Sequence, residues 1–175
     1  MYSGVRPALI GFALEVDDIE ATYQKLIKQN VPVSMPEPLK FKWFFNLLSK
    51  TMPWKNSYLP MFEGIPFQFF LQQLNDEKSK AFMQQYMVPN SREMNINGIL
   101  EVKIYGILTE QDKNIIKVLF QDIDVQDRTI TILLGRQTIS FVESKNHSVE
   151  VILDCANEAK STKQLEIGNV LIKNC

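Results

Sequence analysis

The feature that most constrains this chain is a strand-to-helix move made twice. "GFALEVDDIEATYQKL" at residues 11–26 runs an apolar strand into two aspartates and then into a helical pattern. "GILEVKIYGILTEQDKNIIKVL", beginning at Gly98, repeats the move. One such module buries little apolar surface alone; two in one chain bury enough to fold. A chain of 175 residues has room for two and little more.

The first stretch reads as a strand over 8–16, with Asp17 as helix N-cap and Glu20 as its capping-box partner. Ile19, Tyr23, Leu26 and Ile27 share the predicted helix face. Asn30 and Pro32 end that helix. Strands follow near 39–48, 57–62 and 66–74, with turns at Met52–Pro53 and Glu63–Gly64. "DEKSKAFMQQYM" reads as a helix capped by Asp76, with Phe82, Met83 and Tyr86 inward. "VPNSREMNIN" reads as a linker. After the second start, Thr109 caps a helix whose apolar face is Ile115, Ile116 and Leu119. "DRTITILL", "QTISFVES", "HSVEVILDC" and "QLEIGNVLIK" read as four β segments. The predicted organisation is a first βαβββ module over 1–75, a connector helix and linker over 76–96, and a second βαβββ-like module with extra C-terminal strands over 97–175.

Composition narrows the class. A hydrophobic fraction of 45% and a charged fraction of 22% are those of a globular chain, and the net charge of −1 gives no field that draws nucleic acid or an acidic membrane. No run approaches the ~20 apolar residues that span a bilayer. The two cysteines, Cys155 and Cys175, form no disulfide framework, so a reduced, cytoplasmic setting is expected. No Gly-x-Gly-x-x-Gly, P-loop, Cys-x-x-Cys or Gly-x-Ser-x-Gly motif is present. "KFKWFFNLLSKTMPWK" interleaves Lys40, Lys42, Lys50 and Lys55 with Trp43, Phe44, Phe45 and Trp54. Three readings stay open for it: plain core, an apolar pocket or interface, and a single-strand nucleic-acid platform, against which the balanced charge argues.

With the Asp-Asp-Ile-Glu-Ala helix start after the first strand, and "IPFQFFLQQLNDEKSKAFM" as a Pro-Phe-x-Phe-Phe strand before an acidic helix, the chain resembles the vicinal oxygen chelate superfamily, and within it the bacterial glyoxalase-like domain proteins. The order of elements agrees through about residue 120; beyond it only the strand content does. The resemblance implies an α+β fold of paired βαβββ modules with curved mixed sheets, of the glyoxalase/bleomycin-resistance kind. It implies a cleft in which metal-dependent members hold a divalent metal with ligands from a module's first and last strands. Many members carry a further module ahead of the stretch that opens this chain, and the chain is expected to lack it.

Mapped onto this sequence, the first-strand ligand position of the first module is Gly11, which has no ligating side chain, and that of the second is Glu101. Glu143 is the last-strand carboxylate of the second module. Glu101 and Glu143 are therefore the metal and catalytic candidates, against the plainer reading of both as solvated strand residues. Gln68 and Gln72 share a strand face but are poor ligands, and they fit the lining of a cleft with Trp43, Phe45 and Phe70. His147, the only histidine, is expected in a turn, and Asp17–Asp18 at a helix start.

Three functions are carried forward. The first is a glyoxalase-like small-molecule-binding module without a complete metal site of its own, and no resident cofactor is expected for it. The second is a metal-dependent lyase, isomerase or dioxygenase using Glu101 and Glu143, completed by a further module or a second chain; a divalent metal belongs to that reading. The third is a structural dimerisation domain. A homodimer is expected for each.

Overall fold

The computed structural model describes residues 11–43, 48–87, 96–155 and 164–174. Its elements are β1 (Gly11–Glu15), α1 (Ile19–Lys28), β2 (Glu37–Trp43), β3 (Leu48–Tyr58), β4 (Gln68–Leu74), α2 (Glu77–Met87), β5 (Ile96–Gly106), α3 (Glu110–Leu119), β6 (Ile123–Gln126), β7 (Thr129–Leu134), β8 (Gln137–Glu143), β9 (Ser148–Cys155), β10 (Gln164–Ile167) and β11 (Val170–Asn174). The fold is α+β with two mixed sheets. The chain forms two units. The smaller takes Gly11–Met61 and Phe67–Tyr86; the larger takes Phe62–Pro66 and the described residues from Met87 onward.

In the smaller unit the sheet order is β1-β4-β3-β2. β1 runs parallel to β4, with Gly11 opposite Gln68 and Glu15 opposite Gln72, and β3 is antiparallel to both its neighbours. Alternation along β4 puts Phe69 and Leu71 on the buried side. Ile19 and Leu26 of α1 are buried as well, and α1 packs on β3 and β4. Phe67 meets Phe69 edge-on at 5.0 Å and Phe12 at 5.5 Å between centroids, a geometry that aromatic quadrupoles favour.

This unit departs from the expected pattern at the start of α1 and at Met52–Pro53. The N-cap of α1 is Asp18, whose carboxylate accepts from the Ala21 N–H at 2.9 Å; Asp17 instead offers its carbonyl to Gln73 Nε2 at 2.7 Å. Met52–Pro53 is no turn. β3 runs through it, and the ladder with β2 slips between Pro38 and Lys40, opposite that region. A proline without an N–H is tolerated where a ladder already breaks. At the other end of α1, Asn30 takes the left-handed conformation (φ 57°) that releases the chain toward Pro32.

The larger unit's sheet has the order β10-β11-β9-β5-β8-β7-β6. Within it, β5-α3-β6-β7-β8 repeats the smaller unit's arrangement: β5 parallel to β8, then antiparallel β7 and β6. β6 was not expected, and "QLEIGNVLIK" is a hairpin rather than one strand, folded at Gly168 (φ 63°). β9 pairs antiparallel with the other edge of β5 and carries β11 and β10 beyond it. Val102, Ile104, Ile139, Phe141, Ile130, Ile132, Ile115 and Ile116 form its core.

Thr109 caps α3 as expected, and the box is completed by Asp112: Asp112 N–H donates to Thr109 Oγ1 at 3.2 Å, and Thr109 N–H to Asp112 Oδ2 at 2.9 Å. The same carboxylate accepts from Glu63 N–H at 2.8 Å and Gly64 N–H at 3.0 Å. Asp112 is fully buried, and three backbone donors offset the desolvation of its carboxylate. Gly64 is required at this approach, because a Cβ there would lie 1.9 Å from the Ile107 carbonyl oxygen.

Candidate functional site

The side of β4 turned away from Phe69 and Leu71 carries Gln68, Phe70 and Gln72, three of the cleft residues expected from the sequence. The antiparallel register places Tyr58 opposite Phe70 and Asn56 opposite Gln72. The Tyr58 and Phe70 rings stand 5.6 Å apart. Gln72 Nε2 donates to Asn56 Oδ1 at 3.2 Å, and Asn56 Nδ2 donates to Tyr58 Oη at 3.1 Å. The row has a direction: each group receives from the one before, and the Tyr58 O–H is left as its final donor. Tyr58 is 44% exposed, whereas Asn56 is buried. Gln68 donates to the Leu59 carbonyl. Beside the row lies a depression of about 510 Å³ lined by Glu37, Pro38, Leu39, Lys40, Asn56 and Tyr58. Trp43 belongs to β2, opposite Leu48; its side chain, like the whole of Phe45, lies outside the described residues.

Gly11 sits at the head of β1, facing this strand. A Cβ there would come within 2.0 Å of the Gln68 carbonyl oxygen. The position is closed to any side chain, so no ligating residue fits it without moving the β1–β4 pair.

The structure does not bring Glu101 and Glu143 together. Glu101 lies in β5 opposite Thr138, and Glu143 lies opposite Gly106, five residues farther along the same ladder. Five residues is an odd step, which puts the two carboxylates on opposite faces and about 17 Å apart along the strands. The polar partner that β8 does offer Glu101 is Ser140, whose Oγ donates to Glu101 Oε1 at 3.4 Å. Thr131 Oγ1 stands 3.3 Å from that hydroxyl, and Lys103 Nζ is 3.3 Å from Glu101 Oε2. Glu101 is thus ion-paired and hydrogen-bonded within its own sheet face. Farther across the same face, Glu150 pairs with Lys173 at 3.0 Å. Among the described residues, no three of His, Cys, Asp and Glu gather as a metal site would require.

His147 occupies the turn before β9. Its Nδ1 lies 3.1 Å from the Tyr105 carbonyl, so Nδ1 carries the proton and donates. This bond anchors the turn. Asn56 and Tyr58 were not singled out in the sequence. Their signal is the alternation in "WKNSY", which the expected break at Met52–Pro53 obscures, because β3 runs through it to Tyr58.

No family model matches the chain, and no curated protein matches it. A crystal structure of a hypothetical protein from Staphylococcus aureus superposes with a TM-score of 0.68 at 16% identity, over 95% of this chain. The chain spans 65% of the length of that protein. At this identity the likeness shows a shared fold.

Proposed function

We propose that the chain is a small-molecule-binding module of the glyoxalase-like kind, holding its ligand on the open face of the smaller unit's sheet. The observation that carries this is the directed row Gln72–Asn56–Tyr58 beside Phe70. Two aromatic rings supply apolar contact, and the terminal phenol supplies one aimed donor. The bordering depression falls in the size range of ligand sites, roughly 300–1,000 Å³. The chemistry favours a planar apolar molecule bearing a carbonyl or oxyanion acceptor. The repeated β1-β4-β3-β2 and β5-β8-β7-β6 orders support the glyoxalase-like reading. The closed Gly11 position and the separation of Glu101 from Glu143 weigh against the metal-enzyme reading within a single copy of this chain.

The reading includes a homodimer. Val170, Ile172, Leu165 and Ile167 continue the buried face of the larger sheet past β9, and Leu165 and Ile167 are exposed. Static light scattering should give twice the monomer mass; a monomer at micromolar concentration removes this part.

The binding test is a thermal-shift titration of the EDTA-treated protein, first with divalent metals, then with planar aromatic ketones and quinones. An aromatic carbonyl should raise the melting temperature saturably. Phe70→Ala should abolish the rise, and Tyr58→Phe should weaken binding by about tenfold, the loss of one hydrogen bond. A rise with a metal alone, lost in Glu101→Ala, would transfer the assignment to a metal enzyme.

A further inference from the structure

A second cavity, of about 500 Å³, lies in the larger unit between α3 and the β6–β7 hairpin. It is on the helix side of the sheet, at the ends of β5 and β8. Its floor is apolar: Ile130 and Phe141 are both buried. Its walls carry charge of both signs. Glu110, Lys113 and Lys117 come from α3 at spacings of three and four, hence from one helix face. Glu143 comes from the end of β8, and Asp127 and Arg128 from the hairpin.

These charges are not equally engaged. Glu110 and Lys113 form an ion pair at 2.7 Å. Lys113, and more weakly Lys117, hold the Glu110 carboxyl below its ordinary value. Glu110, with Glu143 adding to it, holds Lys113 above its own. The helix wall thus carries one ion pair and one further cation, Lys117. Asp127 and Arg128 bring one charge of each sign from the hairpin. Neither forms an ion pair with any described residue. They are neighbours in a turn where Asp127 takes a left-handed conformation (φ 47°). Their backbone is fixed, because the Arg128 carbonyl accepts from Glu143 N–H at 2.9 Å. One open anion and one open cation thus hang from a pinned hairpin over a hydrocarbon floor.

We propose that this cavity binds a small zwitterion with an apolar side chain, of the class of the aliphatic free amino acids. Arg128 receives the carboxylate, Asp127 receives the ammonium, and the side chain lies over Ile130 and Phe141. A simple anion meets Asp127 and Glu143 unfavourably, and a simple amine meets Arg128 and Lys117 unfavourably. Only a ligand carrying both charges matches the hairpin wall. This site is independent of the one on the smaller unit's sheet.

The experiment is titration of the full chain with L-leucine, followed by thermal shift and by amide NMR. Isovalerate and isoamylamine, which keep the hydrocarbon and one charge each, are titrated in parallel. Leucine should bind saturably and shift amides of α3 and the hairpin. Each single-charge analogue should bind at least about tenfold more weakly, as loss of one charge-assisted contact implies. Arg128→Ala and Asp127→Asn should each weaken leucine by a similar factor, with unliganded melting temperatures unchanged because both positions are exposed. Arg128→Lys, which keeps the charge without the planar fork, should fall between. Glu20→Gln, on the other unit, should bind as the parent does. The proposal is overturned if leucine gives no saturable shift, if isovalerate or isoamylamine binds as tightly, or if the hairpin variants bind leucine unchanged.

Discussion

The two β-α-β-β-β runs share a strand order and differ at the edge of their first strand. Among the described residues β1 ends its sheet, with five residues and a charge, Glu15, paired at 3.1 Å with Lys80 of α2. β5 is eleven residues long and is continued by β9, β11 and β10. Both arrangements deal with an exposed row of backbone donors and acceptors, one by shortness and charge, the other by extra strands. The open faces diverge as well. The smaller sheet presents amides and rings; the larger presents hydroxyls and an ion pair, Thr131, Ser140, Glu101 and Lys103. One strand order accommodates both, so the chemistry is set by which residues alternate onto the open face.

Four substitutions sharpen the comparison. The largest effect is expected from Phe69→Ala in the smaller unit. Its ring is fully buried between α1 and the sheet, and its removal should cost about 3–5 kcal/mol in urea unfolding. Hydrogen exchange should locate the loss first in β1, β3 and β4. Equal loss of protection in β7 and β8 would show that the two units open as one.

Next come the two helix caps. Asp112→Ala removes a fully buried carboxylate that accepts from three part-buried N–H groups and should destabilise by about 3 kcal/mol or more. Asp18→Ala removes the partner of a single exposed N–H and should cost about 1 kcal/mol. Similar losses in the two variants would mean that the contacts of Asp112 with Glu63 and Gly64 contribute little.

The smallest effect concerns pH. The Ser79 backbone N–H, with the Ser79 hydroxyl adding to it, holds the Asp76 carboxyl below its ordinary value. The charged form is favoured in the folded state. Its contribution is therefore complete above the ordinary carboxylate range and is lost as pH falls through the lowered value. Asp76→Asn should flatten the acid limb of α2 helicity, followed by circular dichroism; an unchanged limb would assign that limb to other carboxylates.

Much of the local structure was legible because its causes are local. Thr109 and Asp76 announce helix starts by side-chain type and spacing, and "PFQFFLQQL" announces a strand by alternation. What was missed depended on partners distant in sequence. Pro53 reads as a break until β2 is seen to slip opposite it. β6 is four residues with little burial, and Asp124 and Gln126 read as loop until β7 pairs with them. Glu143 looked like a partner for Glu101 because strand register cannot be read from one strand alone. Thr109 was legible as a cap without Asp112, and nothing near Asp112 in the sequence mentions Glu63 and Gly64.

That last contact bears on how the chain comes together in time. Asp112 is 48 and 49 positions from the two amides it holds. On a ribosome, residues 62–66 emerge long before the carboxylate that will satisfy them. The segment must therefore stay solvated while β5 and α3 are made, and closing that loop is an entropic toll on the folding rate that local helix contacts do not levy. Shortening the path, by a circular permutation that joins residues 62–66 close to α3, should speed refolding of the larger unit while leaving its final hydrogen bonds the same.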